Sequence, residues 1–336
     1  RDARHMLKND VMVFGAIAGL GVLAWLAWPP LAGLWVTMWI CLVVMCVHMS
    51  HKYFRQPYKG LQLQFVAPRA EGVLSPAPSI AQEATLDLSI VVPAFNEEER
   101  IPAMLDECVE WLTAQNLTWE IIVVDDCSRD NTSKIVLEYA QRHMGQINLV
   151  RLKTNGGKGF AVKQGMYCSR GAAVGMVDAD GATRFADIGL LHAELQTMPK
   201  SSGVLCGSRK HLVGSEVVAK RTPLRNLLMH LFHFCVSFTF WAANGTTGLE
   251  DTQCGFKLLS RDAVRDIFPR MHLERWCFDV EVLLIARQLG YPVAEVPVNW
   301  QEIPGSKLRL SGMLHMGLEL VLLCVAYRFR IWRFCL

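Results

Sequence analysis

From residue 11 to residue 47 the chain runs 37 positions without a charged side chain. A straight helix of that length would measure about 55 Å, against a hydrocarbon core of about 30 Å. Pro29 and Pro30 divide the run into stretches of 18 and 17 residues, 11–28 and 31–47, because proline breaks the helical hydrogen-bond ladder. Each half is just long enough to span a bilayer, or one spans while the other turns back. Arg1, Arg4 and Lys8 precede the run and Lys52, Arg55 and Lys59 follow it. Basic residues on both sides favour a hairpin with cytosolic ends, although Asp2 and Asp10 dilute the first cluster. No small-residue cleavage site follows a short apolar core, so a removed signal peptide fits poorly. Residues 1–60 are therefore expected to be a retained membrane anchor, either a hairpin or one long span broken at the proline pair.

The rest of the composition narrows the class. Hydrophobic residues make up 51% and charged residues 19%, against about 25% charged in an average domain. That excludes disorder, collagen and a coiled coil. A net charge of +3, from 34 basic and 31 acidic side chains, lacks the strongly basic face of a nucleic-acid binder. The eleven cysteines are odd in number and scattered, with no CxxC pair. They suit a reducing compartment, where free cysteine behaves as a small hydrophobe, better than a disulfide framework or a zinc site.

Residues 61–86 are rich in Pro, Ala and Ser and are expected to form a linker. Beyond them, short β-branched runs at 88–92, 121–125 and 173–178 alternate with helical stretches near 97–115, 130–143 and 160–170. That alternation implies a parallel sheet covered by helices. Two later apolar stretches are short for membrane spans: 227–243, which carries His230 and His233, and 313–326, which carries His315 and Glu319. The second ends in Tyr327-Arg328-Phe329-Arg330-Ile331-Trp332-Arg333, an aromatic and basic ending typical of interfacial helices. Helices lying on the membrane surface are the preferred reading of both, and core helices the alternative.

The strand ends carry the chemistry. One ends in Pro93-Ala94-Phe95-Asn96-Glu97-Glu98, the next in Asp125-Asp126-Cys127-Ser128-Arg129-Asp130, and a later one in Asp178-Ala179-Asp180-Gly181. Between them lies the loop Asn155-Gly156-Gly157-Lys158-Gly159. Adjacent carboxylates repel unless a cation or hydrogen-bond donors compensate them. A single pair is accounted for by helix capping; three clusters and a Gly-Lys loop on one sheet are not. Asp178 and Asp180 offer two hard oxygen donors, suited to Mg²⁺ or Mn²⁺ bridging a diphosphate, where the ion would act as a Lewis acid. No GxxxxGK[ST] or GxGxxG occurs, which disfavours a P-loop nucleotidase and a dinucleotide enzyme. Lys220, Arg221 and Arg225 directly precede the apolar 227–243 stretch. That is a phosphate-binding loop leading into a membrane-surface helix, or else a solvated basic face.

These ordered motifs resemble the large inverting family of GT-A nucleotide-sugar glycosyltransferases, glycosyltransferase family 2. Gly207-Ser208-Arg209, Asp251-Thr252-Gln253-Cys254-Gly255-Phe256-Lys257, Glu274-Arg275-Trp276-Cys277-Phe278-Asp279-Val280-Glu281 and Asn299-Trp300-Gln301-Glu302-Ile303-Pro304-Gly305-Ser306-Lys307 look like its polyprenyl-phosphate branch. Within that branch they look most like the eukaryotic dolichyl-phosphate β-glucosyltransferases. The resemblance covers about residues 87–310. It implies a Rossmann-like α/β fold, a mixed sheet flanked by helices, over 87–305. An acceptor loop and interfacial helix would lie near 210–243, and a C-terminal membrane-interface helix over 306–336.

By the same resemblance Pro93, Asn96, Glu97 and Asp126 would form the uridine pocket, with Lys158 near the nucleotide. Asp178 and Asp180 would hold the Mg²⁺ or Mn²⁺ and the diphosphate. Arg209, with Arg221 or Arg225, would bind the acceptor phosphate, and Asp251, Gln253, Trp276 and Asp279 would line the sugar and acceptor side. Asp180, Asp251 and Arg209 would act at the reaction centre. Two departures stand out: Cys127 replaces a common Gly, and Ala182 stands where mannosyl-transferring relatives often place a third metal ligand.

The implied reaction is inverting transfer of glucose from UDP-glucose to dolichyl phosphate, supplying the lipid-linked glucose for N-glycan precursor assembly. A lipid monophosphate is already anionic near pH 7, since its second pKa is about 6, so a site of Asp and Arg with no evident catalytic His suffices. The expected setting is the endoplasmic reticulum membrane, with the lipid bilayer as partner and the catalytic domain facing the cytosol. The sequons at Asn116, Asn131 and Asn244 are then expected to be unused. The alternatives are a mannosyltransferase using GDP-mannose, a bacterial-type polyprenyl-phosphate enzyme and an inactive nucleotide-sugar-binding scaffold. A homo-oligomer is left open.

Overall fold

The Val- and Ile-rich runs form the centre of a seven-stranded sheet in the computed structural model, which describes residues 64–66, 74–212, 236, 240, 248–303, 310–328 and 331–332. The anchor expected over 1–60, and Arg221 and Arg225, lie outside the described residues. So does the 227–243 stretch, apart from Val236 and Phe240. No described helix is long and apolar enough to cross a membrane.

The main sheet contains β3 (Leu86–Ala94), β4 (Trp119–Asp125), β5 (Ile147–Arg151), β6 (Gly171–Met176), β7 (Val204–Ser208), β8 (Lys257–Ser260) and β9 (Val293–Pro297), in the order β5-β4-β3-β6-β8-β7-β9. The four strands β5, β4, β3 and β6 are parallel. Every residue of β4 is buried, as expected for a central strand covered on both faces. The runs at 88–92, 121–125 and 173–178 pair in parallel, as their alternation with helices implied, while β8 runs antiparallel to both β6 and β7. The mixed sheet of the GT-A fold is what forms.

Helices cover the sheet: α1 (Ile101–Ala114), α2 (Thr132–Arg142), α3 (Lys158–Cys168), α4 (Ile188–Thr197), α5 (Arg261–Ile267), α6 (Phe278–Gln288) and α7 (Leu310–Arg328). On α1 the buried positions are Ile101, Met104, Leu105, Cys108 and Leu112, a stripe at helical spacing that docks on the core. Pro102 sits in its first turn, where a missing N–H costs nothing. α3 approaches β3 so closely that a β-carbon at Gly165 would fall 2.3 Å from Val91 Cγ1. That contact brings the Gly-Lys loop at the start of α3 up to the end of β3.

The linker expected over 61–86 is partly built structure. β1 (Gln64–Val66) and β2 (Leu74–Pro76) pair antiparallel, and Ile80 N donates to Tyr167 O at 2.8 Å. Arg261 and Arg265, on α5, donate to the carbonyls of Ser79, Ile80, Ala81 and Gln82. Composition reported the prolines correctly but not the two arginines that strap the segment down. On α7, Glu319, Leu320, Leu322, Leu323, Ala326 and Tyr327 are buried. Tyr327 OH donates to Glu281 of α6 at 2.7 Å, and the Trp332 ring stacks on His272 at 4.2 Å.

Candidate active site

The chain passes from β3 outward through β4 and β5, then returns to β6 on the other side of β3. That reversal leaves a crevice above the carboxyl ends of β3 and β6, the usual ligand site of an open α/β sheet. A cleft of about 880 Å³ lies there. Of the expected site residues it is lined by Pro93, Asn96, Glu97, Asp126, Lys158, Asp178, Asp180, Arg209, Gln253, Trp276 and Asp279.

Its first wall is two interlocked loops. Asn96 N donates to Ser128 Oγ at 2.9 Å, Glu97 N to Thr132 Oγ1 at 2.8 Å and Glu98 N to Asp130 Oδ2 at 3.2 Å. In return Arg129 N donates to Asn96 Oδ1 at 2.8 Å and Asn131 N to Glu98 Oε2 at 2.9 Å. Most of the polar residues in Asp125-Asp126-Cys127-Ser128-Arg129-Asp130-Asn131-Thr132 therefore join loop to loop. Asp126 is the one that lines the cleft. Its two oxygens accept Gly156 N at 2.7 Å and Gly157 N at 2.8 Å, so it also shapes the Gly-Lys loop. Burial raises its pKa, outweighing those two amide bonds. Cys127 has φ +66°, the left-handed region that glycine enters freely and other residues at a cost of about 1–3 kcal/mol. The common Gly at this position thus has a conformational reason.

The cationic side chains are mostly paired. Lys158 Nζ lies 2.6 Å from Asp178 Oδ1; burial disfavours its charge, but Asp178 and Asp279 outweigh that and raise its pKa. Arg100 forms two bonds to Glu97, at 2.7 and 2.8 Å. Arg209, directly after β7, donates through Nε and Nη2 to the two oxygens of Asp251, at 2.6 and 2.8 Å. Its guanidinium carbon sits 5.4 Å from the Trp300 ring centre. Asp251 does not line the cleft. Burial pushes its carboxyl up, but the bonds and charge of Arg209 prevail and hold it below the usual range. A carboxylate engaged in this way orients Arg209 and is poorly placed to take a proton.

Asp279 reaches the cleft from the first turn of α6 and receives Lys257 Nζ at 2.6 Å. Lys257 also donates to Thr252 O at 3.2 Å and Cys254 O at 2.6 Å, so all three ammonium protons have acceptors. Gln253, between those carbonyls, has a buried Nε2 without a hydrogen-bond partner. A buried donor without a partner, on a residue that lines a cleft, is suited to a ligand oxygen.

Asp178 and Asp180 fit a hard divalent cation by donor type. Asp180 Oδ1 accepts Ala182 N at 3.1 Å, and Lys158 already neutralises Asp178. Among the described residues no group of three or more His, Cys, Asp or Glu side chains is arranged to hold a metal. Two carboxylates with waters completing the shell is an arrangement that Mg²⁺ accepts. The sequence reading did not assign Arg100, Asn155 and Arg275, which also line the cleft. Arg275 adjoins Trp276 in the segment Glu274-Arg275-Trp276-Cys277, which is the sequence signal that points to it.

Residues 89–268 match the family model described as "Glycosyl transferase family 2". A dolichyl-phosphate beta-glucosyltransferase of Dictyostelium discoideum is 46% identical over 254 residues, 73% of this chain and 76% of that protein. The Homo sapiens protein of that name is 43% identical over 79% of this chain and 83% of its own length. The Saccharomyces cerevisiae one is 37% identical over 83% and 87%. Among solved structures, glucosyl-3-phosphoglycerate synthase from Mycobacterium tuberculosis, in complex with UDP, superposes with a TM-score of 0.53 at 15% identity. It covers 73% of this chain and 81% of that one, a likeness of fold. The chain belongs to glycosyl transferase family 2 and, within it, to the dolichyl-phosphate β-glucosyltransferases.

Proposed function

We propose that this protein transfers glucose from UDP-glucose to dolichyl phosphate with inversion, giving dolichyl β-D-glucosyl phosphate. The observation that carries the reading is one cleft with a lysine–carboxylate pair on one side, Lys158–Asp178, and a carboxylate-oriented arginine on the other, Arg209. The first suits a leaving nucleoside diphosphate and the second an incoming phosphate. The named relatives support the choice of sugar and lipid.

In this reading Pro93, Asn96, Glu97 and Asp126 hold the uridine in the wall of interlocked loops. Lys158 turns from Asp178 towards the diphosphate, remaining close to Asp279. Mg²⁺ or Mn²⁺ held by Asp178 and Asp180 would offset the charge that develops on departing UDP. Arg209 keeps Nε and Nη2 on Asp251 and presents Nη1 to the lipid phosphate. Gln253 and Trp276 meet the sugar. An anionic phosphate oxygen attacks the anomeric carbon as the bond to UDP breaks, so rate enhancement comes from positioning and charge stabilisation. Arg221 and Arg225 complete the acceptor site in this proposal.

The proposal extends to the endoplasmic reticulum membrane, with residues 1–60 as anchor and the catalytic domain on the cytosolic side. The seven described cysteines are free, in keeping with a reducing compartment. Asn131 donates its side-chain amide to Glu98 at 2.9 Å inside the interlocked loops, a poor site for a glycan.

The test is incubation of membranes carrying the protein with dolichyl phosphate and labelled UDP-glucose or GDP-mannose, with Mg²⁺ or with a chelator. Glucosyl lipid from UDP-glucose, lost on chelation, is expected. Product from GDP-mannose alone would overturn the sugar assignment, and turnover unaffected by chelation would remove the ion from it.

A further inference from the structure

Glu319 lies in the middle of α7 among Leu, Val and Met neighbours and is fully buried. A carboxylate in such a place is costly unless hydrogen-bonded, and no step of the proposed reaction uses it. Its partners are not on its own helix alone. Cys277 N donates to Glu319 Oε2 at 3.0 Å, and His315 Nε2 lies 3.6 Å away. Cys277 Sγ adds a contact to Met316 O of the same helix at 3.3 Å.

The other side of this short loop is held as well. Glu274 O accepts Phe160 N at 2.8 Å, and Arg275 O accepts Gly159 N at 3.1 Å. Residues 274–277 thus direct two carbonyls at the Gly-Lys loop and the Cys277 amide at α7. Clearance is small on the first side: a β-carbon at Gly157 would meet Glu274 O at 2.8 Å, and one at Gly159 would meet Phe278 at 2.8 Å. Between the two attachments Arg275 and Trp276 enter the cleft. Lys158, Arg209 and Arg100 each face a carboxylate at salt-bridge distance. Among the described residues Arg275 is the cleft-lining cation with no carboxylate at that distance, and its charge acts on Asp126.

We infer that Glu319 is a positioning residue for donor binding: by holding the Cys277 amide from outside the cleft, it fixes Arg275 and Trp276 against the Gly-Lys loop. Arg275 then serves as the cation that meets the nucleoside diphosphate. This rests on the reading of the cleft as a UDP-sugar site. It makes α7 part of the donor site without contact between Glu319 and the substrate.

The test uses the full chain in detergent and measures UDP binding by calorimetry, KM for each substrate, and Tm. Glu319→Ala should weaken UDP and raise the KM for UDP-glucose by about tenfold, with the KM for dolichyl phosphate little changed. Glu319→Gln retains an acceptor oxygen and should restore most of the affinity. Glu319→Asp keeps the buried charge but withdraws it from the Cys277 amide. It should shift the same KM severalfold even if the alanine variant does not fold. Leu323→Ala, a buried apolar change on the same helix, should lower Tm and leave both KM values in place. Donor affinity unchanged in Glu319→Ala and Glu319→Asp, with the unaltered chain binding UDP, would overturn the inference, as would an equal effect of Leu323→Ala. An unaltered chain that binds no UDP would instead overturn the reading of the cleft, and this inference with it.

Discussion

Gly255 has no room for a side chain, because a β-carbon there would fall 2.0 Å from Asp178 Oδ2. The carboxylate expected to face the diphosphate therefore rests on bare backbone. Gly255→Ala should force Asp178 out of place and lower turnover by about a hundredfold, with donor KM and cation dependence both raised; unchanged kinetics would show that Asp178 has slack. The glycine was legible only as part of a motif, since nothing local reveals that a residue 77 positions away packs on it. Asp126, Lys158, Asp178 and Asp180 were legible because strand ends in an open sheet converge on one crevice. Arg275 was not, because its significance depends on the other cations having partners, and pairing is a property of the folded site. Asp251 was placed near the right arginine and expected at the reaction centre, yet both its oxygens are engaged by Arg209.

At the scale of elements, β8 was the least readable. Its four residues, Lys-Leu-Leu-Ser, have no directional pattern, and periodicity is the same read either way. What orients it in the fold is pairing on both sides and Lys257 at its first position. That lysine is buried, with Asp279 and two carbonyls as acceptors; burial disfavours its charge, but Asp279 prevails and raises its pKa. Lys257→Met should therefore cost about 3–5 kcal/mol of stability, because it leaves Asp279 buried without its cation. A Tm within a degree or two of the unaltered chain would contradict this. The helices were legible in place and type because their apolar stripes are local, as on α1. Two starts differ from the expected ones. α1 begins at Ile101 rather than near 97, because Asn96, Glu97 and Glu98 belong to the interlocked loops. α3 begins at Lys158 rather than near 160, taking the motif lysine into its first turn.

For the molecule as a whole, the lowered pKa of Asp251 ties stability to pH. The folded form holds this carboxylate charged below the usual value of about 3.9, so the unfolded chain takes up its proton first on acidification. The contribution is fully present above the unfolded pKa and is lost as pH falls below it towards the folded value. Melting curves from pH 7 to pH 3 should fall more steeply below pH ~4 for the unaltered chain than for Asp251→Asn. Parallel curves would assign acid sensitivity to other groups. The sheet order has a consequence for synthesis. β6 ends at Met176 and its neighbour β8 begins at Lys257, so about 80 residues must emerge before that edge is covered. At ~5–20 residues per second this leaves an apolar strand edge open for about 4–16 s on the ribosome. Unpaired edges invite pairing with other chains, so the half-made protein is a natural client for a chaperone during that interval.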